Sequence, residues 1–206
     1  MSTEIKFEKR EKHLENIHRR DQLKTIEKKL VEHPFPPQLV IETTSYCNYE
    51  CIHCSHREMM RPKQNMDRDI YNKIVEEVGK KMPECEIWPT FYGEAFILGD
   101  ELWDRLDYAD KVGCKNLVLN SNGSLLHKND NINKVLNSPL KRFILSLDGF
   151  KKETFEKIRA KGIYDEVYPA VTKLCEERKK RSQTYPTITA QFSVMEDNKD
   201  EVDDYR

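Results

Sequence analysis

From residue 38 onward, short apolar runs alternate with amphipathic segments. Strands are predicted over 38–43 (QLVIET), 85–92 (CEIWPTFY), 115–120 (KNLVLN), 141–148 (KRFILSLD) and 187–195 (TITAQFSVM). The first intervening helix is predicted to start at Asp67, a good N-cap. It would carry Ile70, Ile74, Val75 and Val78 on one face and end at Gly79. Further helices are predicted over about 100–112, 130–137, 151–161 and 165–181, ending at Gly113, before Pro139 and at Gly162 for the first three. Five strand–helix alternations predict an α/β domain with a parallel sheet over 37–206. Ahead of it, Leu14, Ile17, Leu23, Ile26 and Leu30 recur at helical spacing. They predict a helical extension over 1–36, broken by the prolines of HPFPP (33–37).

Strand parity assigns faces, since successive side chains point opposite ways. Phe143, Leu145 and Leu147 share one face of the fourth strand; Ile144, Ser146 and Asp148 share the other. On the fifth, Thr189, Gln191, Ser193 and Met195 oppose Ile188, Ala190, Phe192 and Val194. A second face turning polar toward the C-terminal strand ends predicts a concave, barrel-like site rather than a flat sheet buried on both sides.

Composition narrows the classes of function. With 35 basic and 36 acidic side chains among 206 residues, there is no net field to hold a polyanion, which argues against nucleic acid as a partner. No apolar run approaches the roughly 20 residues of a membrane span, and the N-terminus has no apolar signal region, so no membrane partner and a cytoplasmic location are expected. Six cysteines in such a chain point to reduced thiols and to metal or redox chemistry.

Three of them form the cluster CNYECIHC: Cys47, Cys51 and Cys54, directly after the first strand. Loops leaving the C-terminal ends of parallel strands are where such folds hold cofactors. Three thiolates suit an iron–sulfur cube with one iron left open to a ligand, whereas electron-transfer cubes use four. The alternative is one zinc ion held by the same three cysteines and His53 or His56, in an interaction module without catalysis. Cys85, Cys114 and Cys175 stand alone and read as small buried residues.

The C-x3-C-x-Φ-C pattern, with His53 at Φ, resembles the signature of the radical S-adenosylmethionine (SAM) superfamily. Other stretches share the likeness across roughly 38–198. FYGEA (91–95) is similar to the family's G-G-E-P at Gly93 and Glu94, and LNSNG (119–123) to its T-N-G turn, with Asn120 and Asn122. SLDG (146–149) followed by KKETFEKIRAKG is close to S-x-D-G-x(n)-R-x-x-G.

This resemblance implies a partial (β/α)6 TIM-like barrel of the radical SAM type. Cys47, Cys51 and Cys54 would hold a 4Fe-4S cluster whose fourth iron is chelated by SAM. The implied SAM contacts are His53, Gly93, Glu94 (to the methionine amino group), Asn120, Asn122, Ser146, Asp148, Gln191 and Met195. Asp148 could instead cap the following helix. The implied activity is reductive cleavage of SAM to a 5′-deoxyadenosyl radical that abstracts hydrogen from a peptide, sugar or alcohol. An external electron donor such as flavodoxin or ferredoxin would be needed. The opening E-T-T-x-x-C-N-x-x-C-x-x-C looks like the branch carrying a C-terminal SPASM or twitch domain. A degenerate member that binds without turnover is the other reading within the family. Five strands are counted where the family has six, so a sixth strand and a further domain are expected beyond residue 206.

Overall fold

The computed structural model describes residues 35–205, together with Lys24, Thr25 and Lys28, which are helical. The rest of the predicted extension over 1–36 lies outside the described residues. The chain divides into Met1–Pro37 and Gln38–Arg206, and the second unit holds all that follows.

Five strands, β1 (Gln38–Val40), β2 (Glu86–Trp88), β3 (Asn116–Ser121), β4 (Arg142–Ser146) and β5 (Thr187–Gln191), form one sheet in sequential order. Every pairing is parallel. Between them run α1 (Arg68–Lys81), α2 (Asp100–Lys111) and α3 (Asn131–Asn137), then both α4 (Lys152–Ile158) and α5 (Tyr164–Lys180) before β5; α6 (Val202–Tyr205) follows it. Unbroken sequential order with helical crossovers is that of a partial TIM-like barrel.

On the helix face, Leu117, Leu119, Phe143 and Leu145 are fully buried. Val75 and Val78 of α1, Leu102 and Leu106 of α2, and Val167 and Leu174 of α5 are likewise fully buried and complete the core. The other face carries Val40, Trp88, Asn120 and Ser146, and its register sets Val40 beside Trp88 and Ser146 beside Gln191. The polar turn read from parity is therefore present on the concave side.

Several boundaries differ from expectation. Every strand but β3 is shorter at its C-terminal end than the apolar runs imply, because residues such as 41–43 and 89–92 already turn into site loops. In α1, the Asp67 carboxylate caps the amides of Asp69 and Ile70 as predicted. Gly79, however, lies inside the helix. A Cβ there would come within 2.2 Å of the Val112 carbonyl oxygen, so this glycine serves close packing against the end of α2 rather than termination. The buried stripe of α1 is Tyr71, Val75 and Val78, with Ile70 half exposed. Cys85 and Cys114 are buried as expected, but Cys175 is exposed.

The loop after β1 has no regular ladder, so its backbone groups must find partners elsewhere. Its start is tied to the segment ahead of α1: Met66 N–H donates to Thr43 O (2.9 Å) and Ser45 N–H to Gln64 O (3.0 Å). Its middle is tied to the end of α4, with Glu50 N–H on Ala160 O and Ile52 N–H on Ile158 O, both 3.0 Å. That pairing explains why α4 stops at Ile158, short of the predicted 161. A third tie runs from Glu94 N–H to Tyr46 O (2.8 Å). Here Gly93 packs so tightly that a Cβ would stand 2.0 Å from Thr44 O.

The segment after β5 folds back as a clamp. The Asn198 side-chain amide donates to the carbonyls of Asp148 and Ser193, both 2.9 Å. Glu201, 4% exposed, accepts from the amides of Phe150 and Lys151 (2.7 and 3.1 Å) and from the Thr154 hydroxyl, capping α4 from a distant part of the sequence.

Gly93→Ala should lower stability by about 1–3 kcal/mol, because its Cβ meets backbone that cannot rotate away; urea unfolding measures it. Burial raises the Glu201 carboxyl, but the Thr154 hydroxyl and the Lys151 and Phe150 amides outweigh it and leave the pKa lowered. A depressed folded-state pKa contributes stability above the unfolded value of roughly 4.3, lost as pH falls through the folded one. Glu201→Gln should thus cost about 0.5–2 kcal/mol at pH 7. The gap should close in acid, as paired urea titrations at pH 7 and pH 3 would show.

Candidate active site

A cavity of about 450 Å³ opens at the C-terminal ends of the strands, a volume in the usual range for a small-molecule ligand. The three clustered cysteines form one wall. Glu94, Asn120, Asn122, Ser146 and Gln191 form a polar side, and Val40, Trp88, Phe91 and Tyr92 an apolar one.

Each clustered sulfur has its own N–H donor. Cys47 receives the Tyr49 amide, Cys54 the His56 amide at 3.5 Å, and Cys51 the Arg159 guanidinium at 3.6 Å. Such donors stabilise a thiolate far more than a neutral thiol. Burial and the nearby Glu94 carboxylate push the Cys47 thiol up to about 11, and burial also raises Cys51 despite Arg159. A positively charged group bound among them would reverse that balance.

Among the described residues, no three His, Cys, Asp or Glu side chains converge as one metal ion requires. His56 is buried with its Nε2 2.8 Å from the Ser45 carbonyl oxygen, and His53 lies 3.6 Å from Asp148. Three sulfurs lining one cavity, each with a donor, suit an iron–sulfur cluster held by three thiolates.

Glu94 is fixed from three sides. Its Oε1 accepts from Ser121 Oγ (2.9 Å) and Phe96 N–H (3.2 Å), its Oε2 from Asn122 N–H (2.7 Å). Burial raises its pKa against the pull of those donors. A carboxylate has about four acceptor positions and three are filled, in a residue that lines the cavity. Asn122 reaches on to Asn48 (3.0 Å) within the cysteine loop, and Asn48 to Ser124 (2.8 Å). Asn120 bridges Ser146 (3.2 Å) and Gln191 (3.1 Å) across the concave face.

The structure brings His53, Gly93, Glu94, Asn120, Asn122, Ser146 and Gln191 to the cavity with the cysteines. It does not bring Met195 or Asp148 to the wall. Strand parity fails at Asp148 because its φ of 58° is left-handed, which turns the side chain inward. There it is fully buried, pairs with Arg159 and accepts the Ser193 amide at 2.7 Å. It does not cap α4, where Glu201 takes the Phe150 and Lys151 amides. Arg159 and Asn48 were not singled out from sequence, although both stand in quoted motifs, R-x-x-G and C-N-x-x-C.

The family model of the radical SAM superfamily matches residues 41–203. Comparison with curated proteins gives no match. Solved structures similar in fold include Streptococcus suis SuiB (16% identity, TM-score 0.66, 98% of this chain and 46% of that one). Its S-adenosylmethionine-bound form gives 18%, 0.63, 98% and 47%, and tagged anSMEcpe with bound AdoMet 22%, 0.56, 76% and 43%. The chain therefore spans less than half the length of these neighbours. With the family model covering β2 to β5, the cysteine loop and the clamp after β5, the chain belongs to the radical SAM superfamily, whose members use a 4Fe-4S cluster and SAM.

Proposed function

We propose that this chain is the catalytic core of a radical SAM enzyme, and the single observation carrying the reading is the trio of donor-supported cysteines facing Glu94 across one cavity. Cys47, Cys51 and Cys54 would hold the cluster. When bound, the cluster and SAM supply a one-electron cleavage of the sulfonium that yields a 5′-deoxyadenosyl radical able to abstract hydrogen.

The protein's part is to bind, orient and exclude water. Glu94, with one acceptor position free and its carboxylate desolvated, would take the methionine ammonium through a charge-assisted hydrogen bond. Asn120, Ser146 and Gln191 would meet the polar groups of the cofactor, and Trp88, Phe91 and Tyr92 give apolar surface for its adenine or for substrate. The substrate would be a peptide, sugar or alcohol C–H donor. The likeness to SuiB and anSMEcpe supports placing the chain in the SPASM- or twitch-bearing branch, with an external donor such as flavodoxin or ferredoxin.

Anaerobic reconstitution with iron and sulfide, followed by electron paramagnetic resonance of the reduced protein with and without SAM, tests this reading. A SAM-dependent change of the cluster spectrum is expected; colourless protein holding one zinc would overturn it. Replacing Cys47, Cys51 and Cys54 together by Ala should abolish iron uptake, whereas replacing Cys85, Cys114 and Cys175 should leave it intact. Glu94→Gln should weaken SAM binding roughly 10- to 150-fold, corresponding to about 1.5–3 kcal/mol for a hydrogen bond to a charged group. Calorimetry on reconstituted protein reads this, with cluster content as the control.

A further inference from the structure

We propose that Arg159 sets the reduction potential of the cysteine-bound cluster, acting through Cys51 and held in place by Asp148; this rests on the functional reading above. Among the described residues that line the cavity it is the one lysine or arginine. The donors to Cys47 and Cys54 are neutral backbone amides, whereas Cys51 receives a guanidinium carrying a full positive charge. Hydrogen bonds and charge at the sulfurs are principal determinants of such potentials.

The backbone fixes the contact. Glu50 and Ile52 flank Cys51 and bond to Ala160 and Ile158, which flank Arg159, so Cys51 and Arg159 stand opposite each other in one short register. Gly162 closes the turn behind, its amide 2.6 Å from Arg159 O, where a Cβ would come within 2.7 Å of that oxygen. On the far side Arg159 pairs with Asp148, fully buried and held by the Ser193 amide. The side chain of Arg159 is itself only 10% exposed, so water screens its charge poorly.

Reduction adds one electron, and so one negative charge, to the group bound by Cys51. A fixed guanidinium at that sulfur stabilises the reduced state more than the oxidised one, raising the potential and easing electron entry from a weak donor. Asp148 offsets part of this from further away while fixing which way the guanidinium points.

The test is a redox titration of reconstituted protein, with dithionite as electron source and without SAM, followed by electron paramagnetic resonance. Leaving SAM out means that a role in holding it cannot move the result. Arg159→Gln should shift the equilibrium about tenfold toward the oxidised form, roughly 59 mV for a one-electron couple. Arg159→Lys, keeping the charge but not the planar fork, should shift it less than half as far. A shift under threefold in Arg159→Gln, a shift to higher potential, or equal shifts in both variants would overturn the proposal. If Arg159→Gln holds no cluster because Asp148 is left buried and unpaired, Arg159→Gln combined with Asp148→Asn decides: the nearer positive charge outweighs the farther negative one, so a lower potential supports the proposal and an unchanged or higher one overturns it. Wild-type protein that takes up no iron would overturn the functional reading and this inference together, whereas a SAM-responsive cluster with an unchanged potential in the variants overturns only the inference.

Discussion

The site depends on backbone hydrogen bonding in a loop that has no ladder of its own. A cofactor-sized cavity requires the chain to leave β1 without covering the strand ends, yet every buried N–H and C=O on the way must be paired. The solution is to borrow partners from three places: residues 64 and 66 ahead of α1, the carbonyls of Ile158 and Ala160, and the Glu94 amide after β2. Each borrowed bond also positions chemistry. Pairing at Ile158 and Ala160 brings Arg159 to Cys51, and pairing at Glu94 brings its carboxylate across from Cys47.

Burying Glu94 and Asp148 costs desolvation that the fold offsets with several donors and, for Asp148, a guanidinium. The two acids end differently. Asp148 is engaged by Arg159 and the Ser193 amide, with His53 nearby, so it acts as a structural post. Glu94 has one acceptor position unfilled and its pKa raised by burial, so a cation bound beside it would stabilise the carboxylate. Side-chain type alone does not separate these roles; the left-handed backbone at Asp148 does.

Much of this was legible in the sequence. The alternation of parallel strands with helices, and the place of the cysteine loop and Glu94 at the strand ends, follow from period, spacing and motif, because those signals are local or span a few residues. The failures share a cause. Gly79 was read as a helix end because only the packed Val112 reveals the close contact it permits. Asp148 was placed on the concave face because parity assumes extended backbone through residue 148. Asn198 and Glu201 escaped notice because their partners lie about fifty residues away, and no short pattern marks a cap supplied at that distance. Met195, expected among the cofactor contacts, is outside the cavity lining and donates its backbone amide to Asn198.

The clamp after β5 bears on how the parts of the site act together. Asn198 holds the Asp148 carbonyl, the Ser193 amide holds the Asp148 carboxylate, and Glu201 holds the first turn of α4, whose last turn delivers Arg159. A seven-residue helix is too short to be stable alone, so its geometry comes from what is fixed at either end. Its N-terminus is fixed by Glu201 and its C-terminus by the cysteine loop. The segment following the last strand is thereby coupled mechanically to the sulfur of Cys51, nearly 150 residues earlier in the chain. Anything that displaces residues 193–201 would act on the cavity through α4 as well as through Ser193, which lines its wall.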